Sequence, residues 1–391
     1  MRSLESVIEE IKEKKKNLAV VLGASYGGLS IVRSLGKEGI PVIVIGTTNF
    51  IGCSRYCVYY VNAKDNSKVV RNLVAIAEKY DRKIALMTDS DNYIKLIYQN
   101  WDILKERYGS HICKDLETFE LLTDKSKLYL VSNQLGIDSP KTYFSYELDR
   151  ISRFPVIVKP IDKSKLPSIK GEKVAVCKNK EQLVQIVDYV KLNGTDCVIQ
   201  EIIEGDIRNL FSVTLFRSSD GQVLQGYSGY KIRQFPVNFG TVSSFVVNQN
   251  RELLDMSIQI LNKIGYIGVA NFEYKYNPEE NKYYIIEVNG RFPMSTGVTE
   301  ILGNKFVYNV YRSCLSQDMH QSVNTHQSKV VWVHFLQDLR ARMQLKRRSL
   351  SVLKLKANGY KIKWALWDRR DIKPALVYLK DSVYGRLIKR N

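Results

Sequence analysis

Two stretches of the chain, Val269 to Asn277 and Tyr283 to Asn289, alternate apolar and polar residues with period two, and Pro278-Glu279-Glu280-Asn281-Lys282 lies between them. The pattern predicts a β-hairpin of half-buried strands. With Asn277 facing Tyr283, opposed positions place Glu273 across from Glu287, their Cβ atoms roughly 5 Å apart on one face. Ala270, Phe272, Tyr274, Tyr284, Ile286 and Val288 then make an inward apolar face. Asn271, Glu273, Lys275, Glu287 and Asn289 make the polar one.

Elsewhere the periodicity changes repeatedly between strand and helix. Leu18 to Leu22, the turn GASYGG, the helically spaced SIVRSLGKEG and Pro41-Val-Ile-Val-Ile read as a βαβ unit. Gly23, Gly27 and Gly28 suit a tight strand-to-helix turn whose helix N-terminus faces a small anionic ligand. They do not make a P-loop, because Leu29 stands where lysine is needed. A strand from Lys83 to Thr88 ends in TDSDN, polar residues of the kind that line a ligand crevice at the carboxyl end of a parallel strand. DLETFELLTDKSKLYLVSNQLGI reads as two helices joined near Thr123-Asp124. There follow the strand FPVIVKP (154–160), the loop IDKSKLPSIKGEKV, a helix from Lys180 to Lys191, and the strand CVIQEIIEGD (197–206). Strands from Val213 to Phe216 and Val223 to Tyr227, the segment KIRQFPVNFG and a helix from Arg251 to Ile264 lead to the hairpin. Repeats and low-complexity tracts are absent.

Composition narrows the classes. At 391 residues, 45% hydrophobic, the chain suffices for two or three domains. Its longest uncharged runs, Leu18 to Val32 and Gly39 to Ser54, are too short and too broken for a membrane span. The charged N-terminus MRSLESVIEEIKEKKK has no apolar core of a signal peptide and reads as a helix or extension. Six cysteines lack a C-x-x-C pair and only four histidines are present, so free thiols in a reducing cytoplasm are expected and a zinc site is not. Arg340 to Asn391 carries 16 Lys/Arg against three Asp, a net +13 out of the chain's +19. Such a patch suits an anionic membrane surface or a phosphorylated substrate, or it is a solvated surface; without a recognised aromatic-basic motif, nucleic acid is not the expected partner.

The opposed glutamates need compensation, since like charges facing each other destabilise a sheet. A divalent cation supplies it. Two carboxylates and an amide oxygen are the hard ligands Mg²⁺ takes, with water and substrate phosphates completing its shell. The competing reading is a solvated strand face whose glutamates pair with lysines.

Taken together, TDK before a helix ending in LGI, FPVIVKP, VIQEIIEG, FEYKY and IIEVNGR resemble the ATP-grasp superfamily over roughly residues 18 to 315. The resemblance implies α/β plus α+β architecture: an N-terminal Rossmann-like domain, then two lobes that hold ATP between them. The expected division is a charged extension 1–16, a Rossmann-like domain 17–115, a first lobe 116–195, a second lobe with the metal site 196–320 and a basic segment 321–391. Residue by residue, it implies that Lys125 and Lys159 hold ATP phosphates, and that Gln200, Glu201 and Ile203 meet the adenine edge with Asp206 toward the ribose. Glu273, Glu287 and Asn289 match ligands of Mg²⁺ or Mn²⁺, and Arg291 the arginine beside a reacting acyl phosphate. Lys231 and Arg233 are expected to add positive charge around the phosphates. The loop after Lys159, often glycine-rich in the superfamily, has only Gly171 here.

SLGKEGIPV followed by SRY, together with KIRQFPVNFG and YIGVANFEYKYNP, is most similar to D-aspartate-ligase-type carboxylate–amine ligases. That resemblance implies small-molecule carboxylate and amine substrates, a cell-envelope precursor among them, in a cytoplasmic enzyme with peripheral contact to the inner membrane face through the basic C-terminus; a homodimer is compatible with it. Modification of a protein, a non-amine nucleophile, and a nucleotide-binding scaffold with a docking tail stand as alternatives.

Overall fold

The structure is a computed structural model; it describes residues 2–388 apart from 114, 162–164, 167, 170–173, 320–328 and 346–351. Three sheets organise the chain. The first is wholly parallel, in the order β3-β2-β1-β4-β5, built from β1 (Ala19–Leu22), β2 (Val42–Gly46), β3 (Cys57–Asn62), β4 (Ile84–Thr88) and β5 (Tyr108–Ser110). Continuously apolar β1 and β2 are buried along their whole length, as strands covered on both faces must be. The helix Tyr26–Lys37 covers one side. The N-terminal helix Leu4–Glu13 inserts Val7, Ile8 and Ile11 into the apolar cluster on the other, so the expected extension is part of this domain's core.

The second sheet is antiparallel, β6-β9-β7-β8: β6 (Thr142–Phe144), β7 (Val156–Pro160), β8 (Ala175–Cys177) and β9 (Cys197–Glu201). The helix Lys180–Leu192 buries Leu183, Val187 and Val190 among its apolar residues. β9 lies past the expected lobe boundary at 195/196 yet is hydrogen-bonded into this first sheet of the pair. Conversely, the helices Leu116–Thr123 and Lys125–Gln134 send Leu122 and Leu128 into the core of the large sheet. Asp124 separates them by accepting hydrogen bonds from the N–H groups of Ser126 and Lys127, an N-cap that starts the second helix.

The large sheet runs β14-β13-β10-β11-β12-β15-β16. Its strands are β10 (Leu210–Arg217), β11 (Val223–Phe235), β12 (Thr241–Val247), β13 (Gly268–Asn277), β14 (Lys282–Asn289), β15 (Val330–Val333) and β16 (Lys361–Trp364). Asn250 caps the helix Arg251–Ile264, and Gly265, at φ +67°, ends it. That helix packs Leu253, Ile260 and Leu261 against Val213, Leu215, Phe272 and Tyr274. Each such fully buried side chain contributes about 1.5–3 kcal/mol.

The hairpin register is the expected one where the glutamates lie and differs toward the turn. Glu273 opposes Glu287 and Asn271 opposes Asn289, but Tyr274 opposes Ile285 and Asn277 opposes Lys282. A bulge at Ile286 absorbs one extra residue and reverses the alternation. Hence Ile285, not Ile286, is the core residue, and Tyr283 rather than Tyr284 packs beside the core.

β15 and β16 fall in the segment expected to be a basic appendage, yet they complete this sheet, β15 pairing with β12 and β16 with β15. The segment is anchored further by a buried ion pair: Arg33 Nε lies 2.9 Å from Asp371 Oδ2, each side chain 1% exposed. Ser54 Oγ and Arg55 N–H donate to the same carboxylate. Arg33 Nη2 also donates to the carbonyls of Leu366 and Asp371, and such added hydrogen bonds offset the cost of burying the ion pair.

Candidate active site

Glu273 and Glu287 are cross-strand neighbours, and each carboxylate meets a lysine from a different element. Lys231, on β11, places its Nζ 2.8 Å from Glu273 Oε2. Lys125, first residue of its helix, places its Nζ 3.3 Å from Glu287 Oε1. All four are partly shielded, with side-chain exposures from 11% to 28%. The glutamates pair with lysines, as the competing reading expected, and those lysines are two of the residues expected to surround the phosphates.

Asn289 follows on β14, and its Oδ1 accepts from Arg291 Nη2 at 3.4 Å. Arg291 Nε is 2.8 Å from Asp91 Oδ1, at the start of a helix in the N-terminal domain. Burial works against the arginine's charge, but Asp91, Asp89 and Glu287 more than offset it and its pKa rises. Glu273, Glu287, Asn289, Arg291, Lys125 and Lys231 thus form one connected set.

A second set lies on the four-stranded sheet. Lys159, on β7, donates to Gln200 Oε1 at 2.7 Å, and Gln200 Nε2 donates to Thr142 Oγ1. Gln200 is buried, while Glu201 and Ile203 are half-buried. Glu201 Oε1 accepts from Tyr143 OH at 3.4 Å. Asp206 begins the short helical turn Ile207–Asn209, its carboxylate accepting from Arg208 N–H in a capping box with Asn209. The residues 162–164, 167 and 170–173 of the expected phosphate loop, Gly171 among them, lie outside the described residues.

Arg233 does not join either set. Period-two alternation puts it on the face of Lys231, but β11 is irregular between the two. Lys231 lies in a row with Phe245, Trp332 and Lys363, whereas Arg233 lies in a row with Ser244, Val333 and Trp364 on the opposite face. There Arg233 makes a two-pronged contact with Asp338, Nε to Oδ1 at 2.7 Å and Nη2 to Oδ2 at 3.0 Å, both side chains buried. A guanidinium spent on a buried carboxylate is a structural clamp, so its expected place around the phosphates is corrected.

The glycine turn departs from expectation as well. Asp89 accepts hydrogen bonds from the N–H groups of Ala24, Ser25 and Gly28 and from the Ser25 hydroxyl. The helix N-terminus thus holds an anion from the chain itself. The glycines serve that close approach: a Cβ on Gly27 would lie 3.0 Å from Asp89 Cβ, and one on Gly28 would lie 3.1 Å from its Oδ1.

Three residues escaped the sequence, two beside the site and one that draws Arg233 away from it. Lys275 donates to the carbonyls of Gly205 and Asp206, tying the hairpin to the connection between the sheets, and burial lowers its pKa. Its place two residues from Glu273 was a usable signal. Asp91 was visible in TDSDN but without a partner. Asp338 had no signal at all.

The donor set fits a hard divalent cation. Two carboxylates and an amide oxygen are neighbours on the hairpin, and the described residues hold no cluster of three or more His, Cys, Asp or Glu, so a cation held there would need further oxygen ligands from outside the protein.

Residues 242–321 match the family described as carbamoyl-phosphate synthase L chain, ATP binding domain. The chain is 24% identical over 306 residues to D-aspartate ligase of Enterococcus faecium (strain Aus0004), covering 71% of this chain and 72% of that protein. It is 28% identical over 207 residues to D-alanine–D-alanine ligase of Fusobacterium nucleatum subsp. nucleatum, covering 51% and 64%. Among solved structures, the biotin carboxylase-beta-gamma-ATP complex of Campylobacter jejuni is similar at TM-score 0.62 and 14% identity, over 78% of this chain and 72% of that one. The L-amino acid ligase of Bacillus licheniformis is similar at TM-score 0.59 and 18% identity, over 81% and 78%. The fold is ATP-grasp, with an N-terminal Rossmann-like domain.

Proposed function

We propose that this ATP-grasp chain is an ATP-dependent carboxylate–amine ligase, forming an amide through an acyl phosphate with release of ADP and phosphate. The observation that carries the reading is the Glu273/Glu287 pair between Lys231 and Lys125. Two opposed anions and two cations are balanced among themselves. The same four groups are suited to exchange partners when a polyphosphate and a divalent cation enter together, the lysines turning to phosphate oxygens and the glutamates, with Asn289, to the cation. When bound, Mg²⁺ or Mn²⁺ supplies charge neutralisation between the nucleotide phosphates and the carboxylates.

Phosphoryl transfer to a carboxylate brings two anions together, so the protein's contribution is positioning and positive charge. Lys125, Lys159 and Lys231 provide the charge. Arg291, with Asp91 fixing its Nε edge, presents a guanidinium able to grip a carboxylate or acyl phosphate. Gln200, Glu201 and Ile203 would hold the adenine, with Asp206 the residue assigned to the ribose. The amine attacks the acyl phosphate and its proton leaves to substrate or water, so no protein nucleophile is required. The names of the relatives support amino acids as substrates, and a cell-envelope precursor is the finer proposal. Peripheral contact of the basic C-terminal region with an anionic membrane, in an otherwise cytoplasmic enzyme, is proposed with it; no described helix is long and apolar enough to cross a bilayer.

The test is ADP release from MgATP across pools of carboxylates and amines, amino acids of both configurations included. Release that requires one carboxylate and one amine together is the expected result. Binding of ATP without turnover in any pool, by an otherwise folded protein, overturns the ligase reading.

A further inference from the structure

We propose that the outward face of the segment from Trp367 to Lys380 is a docking surface for an anionic lipid bilayer. It gives residue-level form to the membrane contact proposed above and rests on that reading. Trp367, Ile372, Leu376 and Leu379 are 50%, 40%, 56% and 43% exposed. The remaining exposed residues of the segment are Arg369, Arg370, Lys373 and Lys380. Every exposed position is therefore apolar or basic.

Two features of the packing produce this sorting. Ile372, Leu376 and Leu379 recur at i, i+4 and i+7, a stripe along the start of the helix Lys373–Ile388. Its opposite side is already occupied: Ala375 is buried, and the Tyr378 ring lies 5.6 Å from Phe50, 5.8 Å from Tyr26 and 5.6 Å from His334. The stripe is thus the face left over after the helix has docked. Meanwhile the segment's two carboxylates turn inward, Asp368 to Lys37 at 2.9 Å and Asp371 to the buried Arg33. Negative charge is withdrawn from the surface and apolar area is left on it.

The chemistry selects the occupant. A second copy of the chain would oppose the same cations across the contact. A nucleic acid would engage the arginines and lysines but leave Ile372, Leu376 and Leu379 unsatisfied. An anionic bilayer offers headgroup phosphates to the cations and the acyl boundary to the stripe, and tryptophan favours that interface.

Co-sedimentation with vesicles of phosphatidylcholine alone and with phosphatidylglycerol added tests this on the full chain. Wild type is expected to bind the anionic vesicles only, less at high salt. Each basic residue at such a surface is worth about fivefold in partitioning, so Arg369→Gln, Arg370→Gln and Lys373→Gln together should lower it about a hundredfold. Leu376→Ser with Leu379→Ser should lower it at least about tenfold at unchanged charge. Both variants should release ADP in solution as wild type does, which separates this surface from the ligase reading. Wild-type binding that both variants retain refutes this surface while leaving a membrane contact through other basic residues standing. No vesicle binding, equal binding to neutral vesicles, tighter binding to duplex DNA than to vesicles, or a dimer that the leucine variant converts to monomer each overturns the proposal.

Discussion

Replacing Glu287 with Gln removes one negative charge and keeps the side chain's volume. In the structure the carboxylate sits opposite Glu273 and 3.3 Å from Lys125 Nζ. Two like charges roughly 5 Å apart in a water-like surround repel by about 1 kcal/mol, which the substitution relieves. The partly exposed pair with Lys125 is worth less than about 1 kcal/mol, which it loses. The two nearly cancel. The inward side of β14, Ile285 and Val288, is untouched, so the melting temperature should move by less than about 3 °C. Turnover should behave differently. Removing one group that stabilises transition-state charge costs about 10²- to 10³-fold, or about 3–4 kcal/mol, and loss of an anionic cation ligand belongs at or above that range. The assays are ADP release and the rise in melting temperature on adding Mg²⁺ with ADP, which the variant should lose. Wild-type turnover in the variant removes Glu287 from the cation site. A fall in melting temperature of more than about 10 °C would instead make it a structural residue.

Lys159→Ala should weaken nucleotide binding about tenfold by calorimetry, since one phosphate-neutralising charge is lost; unchanged affinity removes Lys159 from the site. Asp89→Ala leaves the N–H groups of Ala24, Ser25 and Gly28 without their acceptor, destabilising the N-terminal domain by about 1–3 kcal/mol. Added phosphate should then raise the variant's melting temperature more than the wild type's, because the helix N-terminus is open to an external anion; an equal rise refutes the clamp. His111 and His334 are buried, and burial lowers each pKa from 6.5 to about 4. The folded pKa lies below the unfolded one, so the unfolded chain binds more protons between pH 6.5 and 4. Stability should therefore be present above pH 6.5 and fall on acidification by about 1.4 kcal/mol per pH unit for each histidine. Denaturant midpoints against pH for wild type and His111→Gln read this, and an unchanged slope in the variant refutes the assignment.

Local pattern was enough for much of this protein. The period-two runs of 269–277 and 283–289 announced the hairpin, because side chains alternate along a strand; the assumed pairing of Asn277 with Tyr283 set Glu273 against Glu287, an opposition the structure keeps only because the bulge at Ile286 offsets the different pairing at the turn. Asp124 marked the break between two helices, because a capping carboxylate acts within three residues. The motifs around Lys125, Lys159, Gln200 and Glu287 pointed to the ATP-grasp fold, because each couples a charged residue to a particular place on a strand or helix.

What local pattern missed was decided by partners distant in the chain. The bulge at Ile286 and the irregularity beside Arg233 each reverse alternation by one residue, and nothing in the adjacent sequence announces them. Arg233 became a buried clamp because Asp338, far along the chain, folds against β11. Asp89 took the anion site of the glycine turn because β1 and β4 are neighbours in the parallel sheet. The basic C-terminal region looked like an appendage because its strands are short and have no nearby partner in the sequence. Only the tertiary structure could show that β15 and β16 finish a sheet begun at Leu210, since strand pairing depends on edges brought together by the whole chain.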